Sequence, residues 1–124
     1  MKKILLAEDD PFIVDIYTTK LKEAGLNVEV VSEGDEVLAK VRKQKPNLLL
    51  LDIVLPTMNG WEILRAIRQS EDLKSLAVVI LSNLYQKDEV EKGLKLGALK
   101  YMIKAHYTPS EVVQEVKKIL ASTV

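Results

Sequence analysis

The chain has 124 residues, 48% of them apolar, and its 18 basic and 18 acidic side chains cancel to a net charge of zero. That profile fits one globular domain with a real core, and it excludes a disordered segment or a general electrostatic attraction to nucleic acid. With no cysteine in the chain, neither a disulfide framework nor a thiolate metal site can form.

Met1-Lys2-Lys3 runs into Ile4-Leu5-Leu6-Ala7, an apolar run that predicts the first strand. The run is too short for a secretory signal, and Glu8, Asp9 and Asp10 follow it. No apolar stretch approaches membrane-spanning length, so the expected location is the cytoplasm. Asp10-Pro11 reads as the cap and first residue of a helix. Ile13, Ile16, Tyr17, Leu21 and Ala24 then share one face, up to a C-terminal cap at Gly25. Val28-Glu29-Val30-Val31 is the most polar of the longer strands and belongs at a sheet edge. Ser32 with Asp35 resembles a capping pair for the next helix.

Four leucines, Leu48 to Leu51, sit between Lys45-Pro46-Asn47 and Pro56. They read as a buried strand that ends in the carboxylate of Asp52. Asn59 with Glu62 caps a third helix. Trp61, the only tryptophan, is expected near the strand ends, packing that helix on the sheet. Ala77–Leu81 predicts a fourth strand ending in Ser82, and Gly97 a further helix cap. Tyr101–Ile103 is a short fifth strand ending in Lys104. Thr108-Pro109-Ser110-Glu111 is a capping box, with Val112, Val113, Val116, Ile119 and Leu120 on the apolar face that follows. No repeat, linker or low-complexity stretch interrupts the pattern, so residues 1–124 are expected to form one domain.

Successive strand–helix units imply an α/β fold: a doubly wound, five-stranded parallel sheet in a flavodoxin-like three-layer sandwich. With the second strand at one edge and the fifth at the other, the order is 2-1-3-4-5. The switch point then lies between strands one and three, where open α/β sheets place their chemistry.

The polar strand ends gather at that edge. Clustered carboxylates resist ionisation together, and a divalent cation resolves the conflict. Oxygen donors completed by water suit Mg²⁺ or Mn²⁺ over zinc. Asp10 is set apart as a helix cap. Lys104 is placed to pair with Asp52 and then with an incoming phosphoryl oxygen, and the Ser82 hydroxyl to donate to the same group. A carboxylate nucleophile, a metal, a lysine and a hydroxyl are what phosphoryl transfer requires.

The same residues resemble, over essentially the whole chain, the receiver domain of two-component response regulators. Ile4–Asp10 is similar to its first strand and acidic pair, and Leu50–Gly60 to its phosphoacceptor segment with Pro56 and Gly60 at family spacing. Ile80-Leu81-Ser82 is similar to the hydroxyl position, and Tyr101–Lys104 to the switch aromatic and lysine. The resemblance implies that Asp52 accepts phosphate from a histidine kinase or phosphotransfer protein, or from a small donor such as acetyl phosphate. It implies direct Mg²⁺ ligands at Asp9, Asp52 and the Val54 backbone carbonyl, with Glu8 acting through water. Lys104 and Ser82 then bind phosphoryl oxygens. Tyr101 swings inward as Ser82 moves, which changes the face of the fourth helix, fifth strand and fifth helix for a downstream output protein or domain. That face also offers a homodimer contact, while direct nucleic-acid and membrane binding are not expected.

Two positions depart from the family pattern. Ala105 stands where proline usually follows the lysine, which predicts a trans bond and a shifted loop from Lys104 to Thr108, with His106 on its surface. Asn83 replaces a small residue beside the phosphoryl entrance. Val54 and Leu84 are apolar there, offer no group to orient water, and imply slow autodephosphorylation. The domain is therefore expected to catalyse only its own phosphorylation and slow dephosphorylation. The competing reading is a receiver-like interaction module that works without phosphorylation. A flavodoxin-type cofactor site is excluded, because Glu8-Asp9-Asp10-Pro11 offers negative charge and a missing N–H where a phosphate needs donors. A turnover phosphatase lacks a second acid near Asp52.

Overall fold

A computed structural model describes residues 2–122. The elements run β1 (Lys3–Ala7), α1 (Pro11–Glu23), β2 (Asn27–Val31), α2 (Val37–Gln44), β3 (Leu48–Leu51), α3 (Gly60–Gln69), β4 (Ala77–Ser82), α4 (Lys87–Lys95), β5 (Lys100–Ile103) and α5 (Pro109–Ser122). Short 3-10 turns at Gly34–Glu36 and Lys104–His106 precede α2 and α5. The strands are parallel in the order β2-β1-β3-β4-β5, as the sequence implies. No helix among the described residues is long and apolar enough to cross a membrane.

Strand alternation divides the four leucines of β3 between two cores. Leu48 and Leu50 pack with Ile4, Leu6, Val79 and Met102 against Tyr17 and Leu21 of α1 and Val112 and Val116 of α5. Leu49 and Leu51 pack with Leu5, Val78, Ile80 and Tyr101 against Val37 and Val41 of α2 and Ile63, Leu64 and Ile67 of α3. A strand greasy on both faces needs helices on both faces, which is the doubly wound arrangement.

The helix ends follow the caps with one exception. Asp10 Oδ1 accepts from the N–H groups of Phe12 (2.9 Å) and Ile13 (3.5 Å). Asn59 Oδ1 accepts from Glu62 N (3.1 Å). Thr108 and Glu111 exchange the reciprocal bonds of a capping box at 3.1 and 2.8 Å. Gly25 and Gly97 take the positive φ of helix exits. The expected Ser32–Asp35 cap does not form. The chain enters a 3-10 turn after Glu33 with no side-chain cap, and the Asp35 N–H is taken instead by Thr57 Oγ1 at 3.0 Å. A long-range partner on the β3–α3 loop outcompetes the local one. α2 closes on Lys45 at φ 49° rather than on a glycine.

That β3–α3 loop is tied down from outside. Gly34 N–H donates to Pro56 O at 2.9 Å. Thr57 sits at φ 68°, a strained conformation for a β-branched residue, while its hydroxyl holds Asp35. A Cβ on Gly34 would collide with the carbonyl oxygen of Met58. Gly34→Ala is therefore expected to lower stability by about 1–3 kcal/mol through forced loop displacement, read as a lower urea midpoint. An unmoved midpoint would show that the two loops are not clamped.

Candidate functional site

The sheet register sets Ala7 beside Leu51 and Ser82 beside Ile103. The next residues along, Glu8, Asp52 and Lys104, therefore leave the sheet together. Asp52 N–H still donates to Ala7 O at 3.1 Å, and Glu8 N–H to Val31 O at 3.0 Å. Both carboxylates are thus fixed by ladder bonds, and both are buried, at 1% exposure for Glu8 and 6% for Asp52. Lys104 reaches across the end of β4 and puts Nζ 2.6 Å from Glu8 Oε2 and 2.9 Å from Asp52 Oδ2. The remaining oxygens take backbone donors. Asp10 N–H donates to Glu8 Oε1 at 3.2 Å, and Val54 N–H to Asp52 Oδ1 at 3.3 Å.

Asp9 is exposed at the mouth of the site. Glu8, Asp9 and Asp52 each bring a carboxylate oxygen within 4.8 Å of the others. An all-oxygen set of this kind suits a hard divalent cation. Ser82 is fully buried, and its Oγ accepts from Leu84 N–H at 3.3 Å. Tyr101 is turned inward, 9% exposed, with its hydroxyl donating to Leu84 O at 2.6 Å. Ser82 and Tyr101 thus hold the same turn. Leu84 is half-buried against the core, Asn83 is exposed, and Val54 is 62% exposed beside Asp52.

The departure at Ala105 leaves the lysine in place. No peptide bond among the described residues is cis, Lys104–His106 forms a 3-10 turn, and Ala105 and His106 are exposed. Trp61 is half-buried and packs against the α2–α3 side of the core. The ion pair from Lys104 to Glu8 is a contact that sequence reasoning missed. The family resemblance implies a water-mediated role for Glu8, and in the folded chain its carboxylate also meets the lysine directly. A groove of about 570 Å³ lies at the opposite end of the strands and is lined by Val41, Pro46, Leu73 and Leu76. It contains none of these groups.

Burial pushes the Glu8 carboxyl above its ordinary value of 4.5; the nearby Asp52 charge adds to the rise, while the Lys104 hydrogen bond opposes it. Burial works against the Lys104 charge, but the hydrogen bond to Glu8 and the charge of Asp52 outweigh it and raise Lys104 above 10.5. A raised lysine contributes stability below 10.5 that is lost as pH climbs through its folded value. A raised carboxyl acts in the same direction: the fold binds its proton more tightly than the unfolded chain does. Stability then falls as pH rises from 4.5 through the folded value.

Strand ends carrying three carboxylates, a shared lysine and a buried hydroxyl at the switch point of a doubly wound sheet are the marks of a receiver-type signalling domain. Residues 4–117 match the response regulator receiver domain, and the chain belongs to that family. It is 38% identical over 121 residues to the alkaline phosphatase synthesis transcriptional regulatory protein PhoP of Bacillus subtilis, covering 96% of this chain and 48% of that protein. It is 36% identical over 118 residues to the transcriptional regulatory protein BaeR of Escherichia coli, covering 95% and 48%. The chain thus spans about half the length of the curated relatives it matches. Among solved structures it is similar to the BeF3-activated N-terminal receiver domain of Klebsiella pneumoniae RstA, with TM-score 0.87, 28% identity, and coverage of 96% and 98%. It is likewise similar to the Mn²⁺-bound form of response regulator Rcp1, with TM-score 0.86, 28% identity, and coverage of 100% and 97%.

Two outcomes are expected. The stability difference between wild type and Glu8→Gln should move against the wild type as pH rises from 4.5 to neutrality, in denaturation curves without divalent cation. A constant difference would mean that Glu8 is not perturbed. Lys104→Met removes the ammonium that competes for Glu8 and Asp52, so Mg²⁺ or Mn²⁺ should bind about tenfold more tightly. Titration followed by Trp61 fluorescence measures this, and weaker binding in the variant would contradict the competition.

Proposed function

We propose that this receiver domain is a phosphorylation switch whose acceptor is Asp52. The observation that carries the reading is Lys104 Nζ standing 2.9 Å from Asp52 Oδ2 inside the carboxylate cluster. An Asp52 oxygen attacks the phosphorus of a kinase phosphohistidine. The new O–P bond forms as the N–P bond breaks, and the departing imidazole takes up a proton. Mg²⁺ would be held by Asp9, Asp52 and the Val54 carbonyl, with Glu8 through water, and would neutralise the equatorial oxygens. Lys104 exchanges its bond to Asp52 for one to the phosphoryl group, and Ser82 donates to the same group. A lysine already paired at the acceptor needs little rearrangement to do this.

The signal leaves through Ser82, Leu84 and Tyr101, which are joined at one turn. It changes the face of α4, β5 and α5, where an output protein or domain, or a second copy of the chain, docks. The partner that supplies phosphate is a histidine kinase or phosphotransfer protein in the cytoplasm, and the domain itself turns over no external substrate and contacts no DNA. Val54 and Leu84 present no group to orient an attacking water, so the phosphoryl group is long-lived.

Incubation with acetyl phosphate and Mg²⁺ is expected to add one phosphoryl group by mass, and Asp52→Ala to remove that gain. Val54→Asn and Leu84→Glu should each shorten the lifetime of the adduct. No gain in the wild type, with correct folding, would favour an interaction module that works without phosphate.

A further inference from the structure

The switch aromatic is held from a direction that the site itself does not use. Gly60 opens α3 and donates its N–H to Ile53 O at 2.8 Å, which ties the first turn of α3 to the residue after Asp52. The next residue, Trp61, carries the Nζ of Lys92 over its ring, 4.7 Å from the centroid. Lys92 lies on α4, is exposed, and pairs with no carboxylate among the described residues. Its neighbour Gly93 is buried against Tyr101. A Cβ there would lie 2.8 Å from Tyr101 Cδ2 and 2.7 Å from Ile80 Cδ1. The helix backbone is therefore in close contact with the ring, so that the position of α4 governs the packing that holds the ring inward.

We propose that Lys92 and Trp61 are positioning residues: a cation–π latch that clamps α4 on α3 and biases Tyr101 inward before any phosphate arrives. This rests on the switch role proposed above for Tyr101. The indole is the strongest side-chain partner for a cation, and an exposed contact of this kind shifts a two-state equilibrium by about two- to fivefold. The latch links the strand end bearing Asp52 to the Tyr101 pocket by a route separate from Ser82 and Leu84. Glycine at 93 is required for it, since any side chain would wedge α4 from the ring.

The test uses the full chain labelled with 3-fluorotyrosine, without phosphodonor, so that a failure of Asp52 phosphorylation leaves the readout intact. The Tyr101 fluorine signal is assigned by its loss in Tyr101→Phe. Its shift between H2O and D2O reports exposure, with Tyr85, 68% exposed, as the open reference. Lys92→Met is expected to move the Tyr101 signal toward the exposed value by a two- to fivefold change in population, on the order set by the cation–π contact. Trp61→Phe should act in the same direction, while Lys92→Arg, which keeps the cation, should retain the wild-type value. A wild-type signal in both Lys92→Met and Trp61→Phe would overturn the proposal. Equal displacement by Lys92→Met and Lys92→Arg would also overturn it.

Discussion

The sheet edge depends on one ammonium group. Glu8 and Asp52 are both buried and both fixed by backbone bonds, so their charges cannot separate. Lys104 answers both carboxylates at once. In the strand order, β4 lies between β3 and β5, so the lysine must cross about 10 Å of sheet edge. Only a long side chain with a compact charge does that. A carboxylate left without this partner would be destabilised by several kcal/mol, because an unpaired buried charge is among the costliest defects in a fold.

The surrounding architecture keeps that geometry rigid. β3 is sealed on both faces by separate cores, so Asp52 projects from a strand with no freedom to slip register. The loop that follows is held from the β2–α2 turn by Gly34 and Asp35, and its strained Thr57 persists because these bonds over-determine it. The open rim is treated differently, with Val54, Asn83 and Ala105 exposed. A rigid carboxylate within an open rim suits the acceptor role proposed for Asp52.

Communication outward is short. Ser82 and Tyr101 both bond to Leu84, one through its N–H and one through its carbonyl. A pull on the Ser82 hydroxyl is a pull on the turn that holds the phenol. Tyr101 in turn is flanked by the bare backbone of Gly93, so ring and helix cannot move independently. Packed elements of this kind have discrete arrangements rather than a continuum. Under the switch role proposed for Tyr101, its pocket is the bistable element that new charge would bias.

Much of this was legible in the chain. Leucine runs, glycine exits and side-chain caps act over a few residues, so the strands, the strand order and the caps at Asp10, Asn59 and Thr108 follow from local chemistry and crossover handedness. The meeting of Glu8, Asp52 and Lys104 also followed, because residues ending neighbouring parallel strands share an edge. What only the tertiary structure decided was which partner each group takes. Asp35 bonds Thr57 instead of Ser32, Glu8 takes Lys104, Tyr101 lies inward against Gly93, and Lys92 covers Trp61. Each is a contest between a local and a distant partner. Its outcome depends on ångström distances across the fold, and spacing along one chain does not contain them.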